Sequence, residues 1–132
     1  MSLPRQLVGF VVSGGLATAA DALVYAGLRA ADLPGGADAA KALSFVVGTL
    51  VSFELNRRLT FGAPRREARQ AGAFFALYAA TFLLNVGVNH AALGLLPPSP
   101  YAPTAAFVGA TACSMVANFV GQRAWVFRPP EP

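Results

Sequence analysis

Four long apolar runs, separated by turn residues or charge, carry most of this chain: roughly 7–28, 42–55, 71–96 and 103–120. Crossing the hydrocarbon of a bilayer takes about 20 helical residues, so the second and fourth runs must extend into their flanks, to 39–57 and 101–123. Between the first two lies Asp32-Leu33-Pro34-Gly35-Gly36, a turn sequence. Between the last two lies Pro97-Pro98-Ser99-Pro100, which cannot continue a helix because proline lacks the N–H and clashes with the preceding turn. The pattern predicts an all-α integral membrane protein with four transmembrane helices, built as two helical hairpins.

Polar positions inside these runs recur at helical spacing. In the second, Ser44, Gly48, Ser52 and Asn56 stand four residues apart; in the fourth, Ala110, Ser114, Asn118 and Gln122 do the same, each 66 positions later. A four-residue step drifts slowly around a helix, so each set forms one narrow stripe. Small residues let helices approach closely in lipid, and polar ones bond across the contact. The first run carries Ser13, Ala17 and Asp21 at the same step, and the third carries Thr81, Asn85 and Asn89, with His90 adjacent.

The repeat is sharpest where the second and fourth runs end. Residues 53–61 and 119–127 both read F-x-x-(N or Q)-R-x-(L or W)-x-F. The halves, about 5–61 and 71–127, thus predict a duplicated hairpin within a single domain over 1–132. Because each hairpin holds an even number of spans, the two enter in the same orientation, as a parallel repeat about an axis along the membrane normal.

Charge fixes the orientation. Arg5, Arg57, Arg58, Arg65, Arg66, Arg69, Arg123 and Arg128 fall on one side, and only Arg29 and Lys41 on the other. That bias places both termini and the middle loop in the cytoplasm. The chain is 55% hydrophobic and only 12% charged, where a soluble domain carries about 25% charged residues. Its net charge of +4 faces anionic lipid rather than nucleic acid. The first run has no small-residue cleavage site before charge resumes, which makes it a retained span. The single cysteine, Cys113, excludes an intrachain disulfide framework.

Two polar clusters carry candidate chemistry. Glu54, Asn56, Arg57, Arg58, Asn118, Gln122 and Arg123 gather at the cytoplasmic boundary. Arginine offers a planar fork of donors that fits phosphate oxygens, and amides add neutral donors. The plainer reading makes these arginines helix-end anchors; for Arg57 and Arg123, the matched amide before and aromatic after each favour a ligand. Arg65, Arg66 and Arg69 read as topology charges, and Trp125 as an interfacial anchor. The second cluster is an intramembrane layer of Asp21, Asn85, Asn89 and His90. Asp21 and Asn85 each lie about 14 residues, or about 21 Å, into their runs. An intramembrane carboxylate is a functional candidate by default; its plainer reading is a hydrogen bond to Asn85 or Asn89 that holds helices in register. His90 reads as facing an outer crevice. No carboxylate pair, metal-spaced ligand set or nucleophile–base arrangement is present in the sequence, so we expect neither catalysis nor a metal or other cofactor.

These features together resemble the GtrA-like family of small four-span membrane proteins. The likeness rests on the opening LVGFVVSGGLATAADALVYAGL, on NRRLTF ending the second run and on NFVGQRAWVF ending the fourth. Gln122 departs from the usual asparagine, keeping the amide on a longer stem. The resemblance implies the cytoplasmic (inner) membrane and a part in translocating polyprenyl-phosphate-linked sugars for cell-surface polysaccharide synthesis, as a flippase or a flippase component. It also implies a glycosyltransferase as a candidate partner; the chain leaves no room for that enzyme's catalytic domain. A membrane scaffold for such a transferase is the alternative, and a small proton-coupled exporter using Asp21 a weaker one. Four helices enclose little volume for a sugar-sized path, so we expect a homodimer.

Overall fold

The computed structural model describes residues 1–32, 34, 36–63 and 68–128, with backbone alone for 37 and 38. Leu33 and Gly35 of the first connector, and Arg65 and Arg66 of the middle loop, lie outside them. Four α-helices form: α1 Leu3–Ala30, α2 Gly36–Leu55, α3 Ala68–Leu95 and α4 Ala102–Gly121. Proline near the start of α1 and of α4 sits in the first turn, where its missing N–H leaves no intrahelical bond unmade. α1 ends with Asp32 in the left-handed region at φ 51°, a conformation that stops a helix.

The chain divides into two compact units, Met1–Arg65 and Arg66–Pro132. The first packs α1 on α2, antiparallel: Gly9 lies against Thr60, and Ala17 and Asp21 against Gly48. The contact face is the one the spacing picked out. Ser13, Ala17, Ser44, Gly48, Ser52 and Asn56 are all buried. At Gly48 the helices come so close that a Cβ would stand 2.9 Å from the Asp21 Cβ and 3.2 Å from the Ala17 carbonyl oxygen. Only glycine allows that approach.

The second unit packs α3 on α4, also antiparallel, with hydrogen bonds where the first unit has van der Waals contact. Thr81 donates its hydroxyl to Asn118 Oδ1 at 3.0 Å, and Asn85 donates its amide to Ser114 Oγ at 3.1 Å. Leu77 presses on Gly121. Asp21 and Asn85 therefore occupy matching places, opposite Gly48 and Ser114. Along α1 and α3 the match runs at an offset of 64, two residues short of that on the second helices.

Polarity is inverted relative to a soluble domain. The buried set includes Ser13, Ser44, Thr49, Ser52, Asn56, Thr60, Thr81 and Gln122, while Leu23, Phe82, Leu83, Phe107 and Val116 are each more than 60% exposed. In each unit, apolar side chains outside a small-and-polar seam suit lipid as the surrounding solvent. Among the described residues, three helices are long and apolar enough to cross a bilayer: Leu3–Ala30, Ala68–Leu95 and Ala102–Val126. α2 is not among them, and carries Lys41 near one end and Glu54 near the other.

The close approach at Gly48 is testable. Gly48→Val should destabilise the first unit by about 1–3 kcal/mol, the usual consequence of overpacking, read as a lower melting temperature in detergent. Gly87→Ala, whose added methyl meets nothing within 4 Å, should melt like the wild type. Equal losses from both would show that close helix approach is not what Gly48 provides.

Candidate functional site

Both repeated motifs fold the same way locally. α2 runs into a π-helical turn at Asn56–Thr60, and α4 into another at Gln122–Val126. Each is closed by an N–H five residues on: Phe61 to the Asn56 carbonyl at 2.9 Å, and Phe127 to the Gln122 carbonyl at 2.8 Å. The wider turn holds one extra residue and rotates the arginine relative to the helix before it. The motif's aromatic then packs inward; Phe127 is buried, 6.5 Å from Phe74, which stacks on Tyr78 at 4.4 Å.

In the first unit the motif is closed upon itself. Arg57, only 5% exposed, donates from Nη2 to Glu54 Oε1 at 2.6 Å and from Nε to Oε2 at 3.2 Å. Its Nη1 reaches the Ala63 carbonyl at 2.7 Å. Gly62, at φ 62°, gives the chain the left-handed turn that aims this carbonyl back. Arg58, exposed, also bonds to Glu54. Asn56 gives its amide hydrogens to the Ser52 carbonyl and hydroxyl and accepts from Thr60, which shares a further bond with Ser13 at 3.2 Å. A shallow cavity of about 410 Å³ opens over this knot, lined by Arg57, Arg58, Gly62 and Ala63. Two guanidinium groups against one carboxylate leave it with a net positive charge.

In the second unit the same positions are open. Gln122 is fully buried, and neither its amide nitrogen nor its amide oxygen has a partner. An unmet buried polar group costs about 1–3 kcal/mol. Arg123 is exposed and makes no hydrogen bond or ion pair among the described residues. Asn118 is occupied as the acceptor for Thr81.

The intramembrane candidates are shared between the two units. Asp21 has a partner within its own hairpin, Lys41 Nζ at 2.8 Å. Lys41 reaches down from the first turns of α2 while its side chain stays 59% exposed, an amphipathic stem with its charged end toward water. α1 also starts earlier than the apolar run, at Leu3; nine residues separate Asp21 from Ala30, about 14 Å. Asn85 is bonded to Ser114, Asn89 is half-buried and His90 is exposed.

Two further positions escaped the sequence reading. Gln6 and Gln70 are 64 residues apart, each in an Arg-Gln-x-x-x-Phe segment near the start of α1 and α3, and each has a buried amide oxygen without a partner. The signal was a second repeated motif, hidden by its different offset.

Compared with families of known proteins, residues 9–127 match the family described as GtrA/DPMS, transmembrane domain. That range includes both π-helical turns. No solved structure matches the chain.

The contrast between the motifs predicts different responses to the same substitution. Arg57→Gln removes the two bonds that Arg57 gives to Glu54 and its tie to Ala63. Breaking a fully buried pair costs roughly 3–5 kcal/mol, and with Glu54 about a fifth exposed the loss falls to the order of 2 kcal/mol. Arg123→Gln should leave the melting temperature unchanged. Matching drops in detergent melts of the two variants would refute the asymmetry.

Proposed function

The chain belongs to the GtrA/DPMS transmembrane family, and on that footing we propose that it translocates polyprenyl-phosphate-linked sugars across the cytoplasmic membrane. It does so itself or as a required component of the flippase, in support of cell-surface polysaccharide synthesis. The observation that carries this reading is the open, net-positive cavity over Arg57, Arg58, Gly62 and Ala63, at the arginine-rich end of an apolar body. A lipid phosphate needs cationic donors at the leaflet boundary and an apolar flank for its chain, and the first unit offers both.

In this account α2 crosses the membrane with the other three helices. Its 20 residues span about 30 Å, with Glu54 and Lys41 each paired. Both termini lie in the cytoplasm, following the arginines, and the hairpins enter in parallel. Arg58 in the first unit and Arg123 in the second, both exposed, are each the first cation a phosphate meets on their own hairpin, and Arg57 shapes the cavity wall of the first. Anionic lipids hold the basic face at the membrane. A second copy of the chain completes a path wide enough for a sugar, and a membrane glycosyltransferase supplies the substrate. The chain itself performs no catalysis. The Asp21–Lys41 pair neutralises both charges within the outer part of one hairpin, which favours a structural role for Asp21 over proton coupling.

The test is reconstitution in liposomes with a labelled polyprenyl-phosphate sugar, following its appearance in the opposite leaflet. Wild type should accelerate exposure. The double variant Arg58→Gln/Arg123→Gln should insert normally yet lose at least about tenfold, since a hydrogen bond to a charged group is worth about 1.5–3 kcal/mol. Co-purification with a transferase and no protein-dependent exposure would instead make the chain a scaffold.

A further inference from the structure

The two motifs share a backbone but not a chemistry. Sixty-six positions on, the partners that close the first are gone: Glu54 becomes Val120, and Thr60 becomes Val126. On the facing helix, where the offset is 64, Ser13 becomes Leu77. Glu54, Thr60 and Ser13 thus all have apolar counterparts, and Asn118, which stands where Ser52 does, is already the acceptor for Thr81. What stays behind is a buried amide with both ends unmet and a neighbouring guanidinium with no partner among the described residues. A motif kept only for packing would lose those polar groups, because an apolar residue of the same volume stabilises a buried site more than an unpaired amide does.

We infer that the copies have divided their roles: the first, with its amide and Arg57 committed to a structural clamp, offers the lipid phosphate only a charged cavity, and the second reads the attached sugar, with Arg123 on the phosphate and the Gln122 amide on a sugar hydroxyl. The hydroxyl follows from the inventory of the amide. Its nitrogen donates and its oxygen accepts, so a deprotonated phosphate alone satisfies the first and not the second. A sugar hydroxyl, donor and acceptor at once, satisfies either. Gln122 and Arg123 are neighbours in a single π-helical turn at the end of α4. The second motif thereby distinguishes a glycosylated lipid phosphate from a bare one. This inference rests on the translocation reading above and assigns its sugar selectivity to one residue.

Binding in nanodiscs to polyprenyl-phosphate hexose and to unglycosylated polyprenyl phosphate tests it. Wild type should prefer the glycosylated lipid by up to about tenfold, the worth of roughly one good hydrogen bond to a ligand hydroxyl. Gln122→Met, close in volume and apolar, should melt no lower than wild type and bring that preference near unity; Gln122→Leu repeats the test with a second side chain. Arg123→Gln should weaken both lipids about tenfold. A lower melting temperature for both Gln122 variants with selectivity intact would make the amide structural and overturn the inference. Equal wild-type binding of the two lipids would overturn it and leave the translocation reading standing, whereas binding of neither would sink both. Competition by a soluble hexose phosphate as strong as by the lipid would overturn the assignment to a membrane ligand.

Discussion

Everything in this protein follows from the need to satisfy polar groups where lipid, not water, is the surrounding solvent. With apolar side chains outside, hydrophobic burial gives the helices little reason to pair. Association falls to close backbone contact and to hydrogen bonds across the seam. Gly48 supplies the first against Ala17 and Asp21; Thr81–Asn118 and Asn85–Ser114 supply the second. An unmet polar group in hydrocarbon costs several kcal/mol, so these few contacts fix register firmly. Register in turn decides what the last turn of each second helix presents.

That last turn carries the functional argument. A π-helical turn ends α2 and extends α4, and in both cases an amide and an arginine fall where the helix meets the arginine-rich boundary. In the first unit these groups are consumed by Glu54, Ser52, Thr60 and the Ala63 carbonyl. In the second they are not. Duplication explains why both ends look alike, and loss of the internal partners explains why they need not act alike.

Much of this was legible in the sequence. The apolar runs located the helices to within a few residues at most ends, and the four-residue stripes named the buried face correctly: Ser44, Gly48, Ser52 and Asn56 all lie inside. The π-helical turns were not legible, because helical periodicity carries no mark of one extra residue. Nor was the commitment of Arg57, since Glu54 three residues earlier read as one more member of a cluster. The Lys41 partner of Asp21 was hidden by length: a lysine stem reaches well past its own helical position. Gln6 and Gln70 were missed because α1 and α3 repeat at 64 while α2 and α4 repeat at 66, so no single offset shows both motifs.

The central claim is that a lipid-linked phosphate docks at the arginine-rich end of each helix pair. A polyprenyl-phosphate sugar bearing a photoreactive group beside its phosphate, cross-linked to the protein in native-like membranes and mapped by peptide mass, tests this directly. The account predicts adducts on residues 56–63 and 122–128, lost on competition with unlabelled lipid. Adducts confined to the opposite ends, at 29–41 and 90–101, would contradict it.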